Sequence, residues 1–458
     1  MLRFFNTWTR EDEIFKPHEQ GSAGVYSCGP TVYNFAHIGN LRTYIFADIL
    51  KRVLRYDGYL VKHVMNITDV GHLTDDGDVG EDKIEKAARL EDKSAQELAE
   101  FYWAAFRKDL SRLNIIEPDV WCRASEHIKE QIDLIKKLEE KGFTYKISDG
   151  IYFDTSKVEN YGYLARLDIE GLNEGARVAA NKEKHNPTDF ALWKFSPKDR
   201  KRQQEWESPW GVGFPGWHTE CVAMSLKHLG DSVDIHTGAI DLAPVHHTNE
   251  IVQAQAILNK NFVQTWMHGE FVVINDQRMG KSLGNFMTIE DLMEKGYDPL
   301  SYRYLCLTTH YRSKLNFNFE ALGAAQSGLN NLREKFLNFG KADGCVLEDF
   351  KKRFVDFIED DLNMPQALAL VWELLKAEET DADKRATLMD FDRVLGLGLE
   401  SYSAPKVEVP EKIRELADER DEARKKKNWK RADALREEIE AAGWLVEDLS
   451  VGYELKRK

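Results

Sequence analysis

Two cysteines far apart in the chain, Cys28 and Cys221, and the run His246-His247-Thr248-Asn249-Glu250 supply the residue types that hold a transition metal. His246 and Glu250 are four apart at the opening of a predicted helix, so both side chains share one face and can point at one ion. Two thiolates, an imidazole and a carboxylate form a credible zinc shell. His247, three residues from Glu250, is a rival ligand and His236 another. Cys28 and Cys221 could equally be ordinary buried thiols. Spacing alone leaves these alternatives open.

A second set carries phosphate chemistry. His37-Ile38-Gly39-Asn40 stands at a loop-to-helix junction, and Arg278-Met279-Gly280-Lys281-Ser282 is a Gly- and Lys-bearing loop. A helix N-terminus offers free N–H groups and a positive dipole end to an anion. Gly39 lets a nucleotide approach the backbone, and Lys281 neutralises charge on departing phosphates. Two common nucleotide loops are excluded. No GxGxxG follows the first strand, and Gly280-Lys281-Ser282 lacks the earlier glycine of a Walker A loop, since position 275 is Asn275.

These groups need elements to converge them. Gly24–Cys28 reads as a strand stopped by Gly29-Pro30. Leu41, Tyr44, Ile45, Ile49, Leu50, Val53 and Leu54 follow at helical spacing, Asp57-Gly58 ends that helix, and Tyr59–Ile67 is a second strand. The order recurs late: a helix over about 218–229, a strand Ser232–His236, a helix over about 246–259 and a strand Glu270–Ile274. Two βαβ halves far apart predict one parallel sheet interrupted by an insertion. Its strand ends, Cys28–His37, Asn66–Asp69 and His236–Asp241, would then meet in one crevice. A helix over 127–141 opens the inserted stretch. Beyond about residue 290 the pattern is helical, through Leu315–Phe339, Phe350–Leu362 and Pro365–Glu378. Ser401–Pro410 is a linker, and Ile413–Lys426 with Trp429–Ala442 form a helical pair closed by Gly443.

The 458 residues predict several domains, and 42% hydrophobic content excludes wholesale disorder. No apolar run reaches the roughly 18–20 residues of a membrane span, and the N-terminal stretch does not resemble a signal peptide. Five cysteines at long spacings argue for a reducing, cytoplasmic compartment rather than a disulfide framework. The net charge of −15 argues against a histone-like, sequence-blind nucleic-acid binder, yet residues 411–458 hold thirteen basic and thirteen acidic side chains. Within them Arg424, Lys425, Lys426, Lys427, Lys430 and Arg431 form a basic cluster with no acid among residues 424–431.

Taken together the motifs resemble those of cysteinyl-tRNA synthetases, class I aminoacyl-tRNA synthetases, along essentially the whole chain. The matching residues are Tyr26–Asn34, His37-Ile38-Gly39-Asn40 in place of the family's HIGH signature, Asn66–Asp69, Pro215–Cys221, Asp234–His236, His246–Glu250 and Met279–Phe286. The resemblance implies one zinc ion held by Cys28, Cys221, His246 and Glu250, with Thr68, Trp217, His236 and Asp241 shaping a pocket for L-cysteine. It implies ATP, with Mg2+, bound through His37, Gly39, Asn40, Arg278 and Lys281. His37, Asn40 and Lys281 serve catalysis, Lys281 acting from a mobile loop. The product is cysteine on tRNA(Cys), made through a cysteinyl-adenylate. Arg424, Trp429, Asp433 and Asp448 match positions expected to contact the anticodon.

The sequence departs from the pattern at Asn40, where the second His of HIGH becomes a neutral amide, and at Arg278 and Gly280, which replace Lys and Ser of KMSKS. The departures bear on rate, not on the reaction.

The expected fold is α/β, a Rossmann-like parallel-sheet catalytic domain with an insertion, then an α-helical bundle and a small anticodon-binding domain. The expected boundaries are 1–114 and 216–290 for the catalytic halves, 115–215 for the insertion, 291–320 for a stem-contact segment, 321–400 for the bundle and 411–458 for the last domain. A monomer without membrane contact is expected. Three other readings compete. A mycothiol-type ligase joining cysteine to an amino sugar is countered by the 411–458 tail. A non-catalytic zinc-stabilised RNA-binding module is countered by the presence of His37 and Lys281. A persulfide-forming side activity with pyridoxal phosphate would use Lys83 and Lys86, whose acidic-flanked segment reads most simply as an exposed helix.

Overall fold

In a computed structural model that describes residues 1–72, 82–167, 182–197, 202–274, 277–279, 284–403, 409–448 and 452–457, the strand Ser22–Ser27 lies at the centre of a five-stranded sheet. Across the sheet the order is Val263–Gly269, Val233–Ala239, Ser22–Ser27, Leu60–Ile67, Val120–Arg123. Every neighbouring pair is parallel. The chain builds outward from the centre on one side, then returns to build outward on the other. The reversal falls between Ser22–Ser27 and Val233–Ala239, and the crevice beyond their carboxyl ends is where such a sheet takes a ligand. The helix Ile38–Tyr56 crosses from the first strand to the second. It buries Ile38, Leu41, Ile45, Ile49 and Val53 at helical spacing, which holds its N-terminus at the crevice.

The structure departs from the expected layout in several places. The outer strand of the late half is Val263–Gly269, where Gln264, Thr265 and His268 break the apolar run that would have marked it. The anticipated Glu270–Ile274 strand is instead Val272–Ile274, paired with Gln277–Arg278 and Leu315–Phe317 in a separate three-stranded sheet. The segment 115–215 is not wholly an insertion. Its Val120–Arg123, too short to show a period, is an edge strand of the parallel sheet, and its helix Ile128–Glu140 packs on the helix Trp217–Leu229. The inserted part proper is an antiparallel sheet of Thr144–Ile147, Gly150–Phe153, Phe190–Phe195 and Gly213–Pro215. Finally, Leu315–Phe317 is strand, and the helix begins at Phe319 because Asn318 caps it through Ala321 N–H.

The helical region comprises Pro299–Leu307, Phe319–Asn338, Glu348–Ile358, Met364–Lys376 and an unanticipated Asp381–Leu395. A buried ionic knot joins it to the catalytic sheet. Asp48 on the Ile38–Tyr56 helix pairs with Arg303 at 2.6 Å and with Arg52 at 2.7 Å, and Arg303 also donates to the carbonyls of Leu395 and Leu113.

Residues Ser401–Lys458 form a second compact unit. Helices Glu411–Lys425 and Trp429–Ala441 match expectation, but an antiparallel hairpin, Trp444–Asp448 with Tyr453–Arg457, follows them. Ile413, Ala417, Ile439, Trp444 and Val446 make its core. Residues 404–408 of the expected linker lie outside the described residues.

Candidate active site

A cavity of about 460 Å3 opens in the crevice, and Cys28, His37, Asn40, Thr68, Trp217, Cys221, Asp241 and His246 all line it. Residues scattered over more than two hundred positions thus meet on one surface, as expected.

At one end stands the N-terminus of the Ile38–Tyr56 helix. His37 is its cap: His37 Nδ1 accepts from Asn40 N at 3.1 Å, and Asn40 Oδ1 accepts from His37 N at 3.2 Å. This reciprocal capping box settles both side chains. With Nδ1 accepting, the imidazole carries its proton on Nε2. Burial lowers the His37 pKa, so the ring is a neutral donor. Asn40 keeps only its Nδ2 hydrogens for a ligand. Gly39 permits the fold-back, since a Cβ there would lie 2.9 Å from the His37 ring. Phe286 packs edge-to-face on that ring, with centroids 5.3 Å apart. Lys281 and Gly280 lie outside the described residues, as does the Arg278 side chain.

At the other end four donors cluster. Ligand atoms of Cys28, Cys221, His246 and Glu250 all lie within 4.8 Å of one another. His246 Nε2 is 3.4 Å from Cys221 Sγ and 2.9 Å from Glu250 Oε1, and Cys28 Sγ is 3.9 Å from that same oxygen. Tetrahedral zinc with bonds of about 2.0–2.3 Å separates its ligands by roughly 3.3–3.8 Å, so the set fits the ion in chemistry and in spread. A second group, Cys28, His236, His247 and Glu250, is equally close-packed but has one thiol. Its two histidines and Glu250 are wholly buried, whereas Cys28, Cys221 and His246 line the cavity. Among the described residues the first group thus turns three of its donors to the cavity, and the second turns one, Cys28.

The electrostatics match a polarised cluster. Burial works against the charge on His246, yet Cys221 and Glu250 push its pKa up to about 10. Burial likewise works against the charge on Glu250, yet His236 and His246 hold its pKa down to about 2. Burial drives the Cys28 thiol up, while the hydrogen bond from Cys28 lowers Cys221. Outer partners orient the donors, as such sites require. His218 Nδ1 lies 3.0 Å from His246 Nδ1, and Trp217 packs against the His246 ring at a tilt of 33°, with centroids 4.4 Å apart. His236, expected in the substrate pocket, does not line the cavity among the described residues. It sits behind Glu250, with Nε2 2.9 Å from Oε2, and stacks on Trp266. His218, His268 and Glu220 were not anticipated, although the unbroken run His218-Thr219-Glu220-Cys221 carried a signal.

In the C-terminal unit Trp429 is 57% exposed. It is therefore no part of that unit's core. Asp433, one turn on, is exposed on the same face. Asp448, expected beside them as a base reader, is instead engaged by Arg420, at 2.7 and 3.1 Å, and by Arg424. Its oxygens hold the two guanidinium groups.

Comparison with known proteins gives two family matches. Residues 14–327 match the tRNA synthetases class I (C) catalytic domain, and residues 406–450 match the cysteinyl-tRNA ligase anticodon binding domain. Over 455 residues the chain is 51% identical to cysteine–tRNA ligase 1 of Burkholderia lata, covering 99% of this chain and 96% of that one. It is 44% identical to the cysteine–tRNA ligase of Treponema denticola, covering 98% of each. Two solved structures share the fold. Mycobacterium tuberculosis methionyl-tRNA synthetase with methionyl-adenylate has a TM-score of 0.55 at 15% identity, over 82% of this chain and 90% of that one. An Agrobacterium radiobacter LeuRS–tRNA–LeuAMS complex has a TM-score of 0.59 at 11% identity, over 84% of each. Among the described residues no helix is long and apolar enough to cross a membrane.

Proposed function

The chain belongs to the cysteinyl-tRNA ligases, and we propose that its ATP-dependent attachment of L-cysteine to tRNA(Cys) selects the amino acid through zinc held by Cys28, Cys221, His246 and Glu250. The observation that carries this reading is the convergence of those four donors, three of them (Cys28, Cys221 and His246) lining a cavity that His37, the cap of a helix N-terminus, also lines.

Cysteine and serine differ by one atom, and an apolar pocket separates near-isosteres by only about 1–3 kcal/mol. Bound in this site, zinc supplies a borderline-soft acceptor that takes sulfur as thiolate and discriminates against a hydroxyl. The side chains do the rest. Trp217 and Thr68 enclose the amino acid, and Asp241 stands at the exposed rim. The substrate carboxylate attacks the α-phosphate of ATP, which enters with Mg2+. His37 Nε2–H and Asn40 Nδ2 donate to phosphate oxygens at the helix N-terminus, where the backbone dipole adds to them. Arg278 and Lys281 stabilise the leaving pyrophosphate. The terminal ribose hydroxyl of the tRNA then attacks the cysteinyl-adenylate carbonyl, so catalysis rests on positioning and charge stabilisation.

Trp429 offers a stacking face to an unpaired anticodon base, Asp433 an acceptor beside it, and the Asp448-held Arg424 a donor. The chain acts as a monomer in the cytoplasm.

The test is charging of a tRNA(Cys) transcript with labelled cysteine and ATP, with serine as control. Charging with cysteine alone is expected. Cysteine-dependent pyrophosphate exchange without charging would move the acceptor away from tRNA(Cys).

A further inference from the structure

Phe35, two residues before His37, and Phe101, on the helix Ala95–Arg112, leave 44% and 46% of their surface in water. Single exposed apolar side chains are ordinary. Here two large rings are exposed together, with centroids 5.9 Å apart at 70°. Both meet Tyr102 edge-to-face, at 5.0 and 5.1 Å. Tyr102 is buried, and its hydroxyl donates to Glu91 at 2.5 Å. Glu91 also pairs with Lys93, whose ammonium lies 4.3 Å over the Phe101 ring. The exposed pair therefore rests on a fixed base.

The pair straddles the mouth of the active-site cavity. Phe35 and Tyr102 line that cavity, and Phe101 is not among its lining residues. Of the described residues that line it, Phe35, Asn40 and Asp241 are exposed, and of these Phe35 is the apolar one. The aromatic surface thus runs from the cavity wall outward over the rim. Cysteine and ATP react inside the cavity. The tRNA has to cross the rim, because its terminal ribose reacts inside while the rest of the strand stays outside. Unpaired bases stack on aromatic side chains with little regard to sequence, since every base has a π face.

We infer that Phe35 and Phe101 are a stacking platform for bases of the single-stranded 3′ end of the tRNA, and that they steer the terminal ribose hydroxyl toward the cysteinyl-adenylate. The inference rests on the reading that the cavity makes that adenylate. At 70° to each other, the two rings cannot extend one continuous base stack. A strand that uses both must turn between them, from its path outside the protein into the cavity. Because the platform is held by Tyr102 and Glu91 before the tRNA arrives, little ordering of side chains remains to be done on binding.

The experiment uses the full chain, a tRNA(Cys) transcript and the same transcript lacking its last three nucleotides. Phe101→Ala should raise the tRNA KM for charging about 5- to 100-fold, the worth of one stacked base. Cysteine-dependent pyrophosphate exchange and the ATP KM should stay within about twofold of wild type. Wild-type protein should bind the full transcript more tightly than the truncated one. Phe101→Ala should shrink that preference by the same factor as the rise in KM, while its affinity for the truncated transcript holds. Phe35→Leu should weaken the preference likewise, and Phe101→Tyr should keep it. Unchanged charging or an unchanged preference for the full transcript would overturn the inference. So would a rise in the ATP KM, which would make the adenine of ATP the occupant, or a loss of exchange in Phe101→Ala, which would make the ring a part of the fold. Failure of the functional reading would appear separately, as wild-type protein without cysteine-dependent exchange, and would overturn both.

Discussion

Gly39→Ala separates the phosphate-binding role proposed for His37 from its structural role as a helix cap. Gly39 sits in the first turn of the Ile38–Tyr56 helix, at an ordinary helical φ. There alanine is the better helix former, by about 1 kcal/mol. The new Cβ would nevertheless lie 2.9 Å from both Cε1 and Nδ1 of His37, too close to keep. The ring has to swing out, which breaks its bond from Asn40 N and costs about 0.5–2 kcal/mol of capping. The two terms nearly cancel, so the thermal midpoint should stay within a few degrees of wild type. Catalysis has no such compensation. His37 Nε2–H leaves the phosphate position, and loss of one preorganised donor costs about 10²- to 10³-fold in kcat. Cysteine-dependent pyrophosphate exchange, read beside a melting curve, measures both. Exchange within about threefold of wild type would refute the assignment of His37 as a phosphate donor. A fall of about ten degrees or more in the midpoint would refute the claim that its cap and the helix preference offset.

Three further outcomes follow from the same structure. Asp48→Asn removes the charge shared by the buried Arg52 and Arg303 and should cost about 3–5 kcal/mol in urea unfolding. Trp429→Ala should raise the tRNA KM about 5- to 100-fold, the worth of one stacked base. Because the ring is exposed, pyrophosphate exchange and stability should be unchanged; a parallel loss in exchange would point to a folding defect instead. His63 is wholly buried and bonded to Ser27 Oγ at 2.9 Å. Burial, aided by Lys51, pushes its pKa down to about 3, so the folded protein keeps it neutral while the unfolded chain protonates it near 6.5. The unfolded state then binds more protons between those values. The stability this group contributes is complete above pH 6.5 and is lost on acidification at about 1.4 kcal/mol per pH unit. His63→Gln should flatten the fall between pH 6.5 and 5 by roughly 2 kcal/mol, and an unaltered slope would contradict the buried neutral ring.

The sequence made the first βαβ unit legible because Leu41 to Leu54 repeat at helical spacing between two apolar strands. It did not reveal Val263–Gly269, whose Gln264, Thr265 and His268 obscure its strand character; His268 is buried and bonds His247. Nor did five-residue strands such as Trp444–Asp448 carry enough alternation to be told from loop. In the site, the residue types named the chemistry, but spacing could not choose between His246 and His247. Both imidazoles reach Cys28 and Glu250 through neighbouring cages, and only the cavity face distinguishes them. His236 was expected against the substrate on the family resemblance, yet its ring points inward to Glu250. Polar networks that lie behind a pocket, such as Glu220 with Thr68 and His72, join residues about 150 positions apart. No local pattern marks such pairs.

The measurement closest to the central claim is pyrophosphate exchange with cysteine and with serine, on enzyme stripped of zinc by chelation and then reloaded. The account predicts that stripping abolishes cysteine-dependent exchange, that zinc restores it, and that serine supports none in either state. Undiminished cysteine exchange by metal-free enzyme would contradict selection of cysteine through the Cys28–Cys221–His246–Glu250 site.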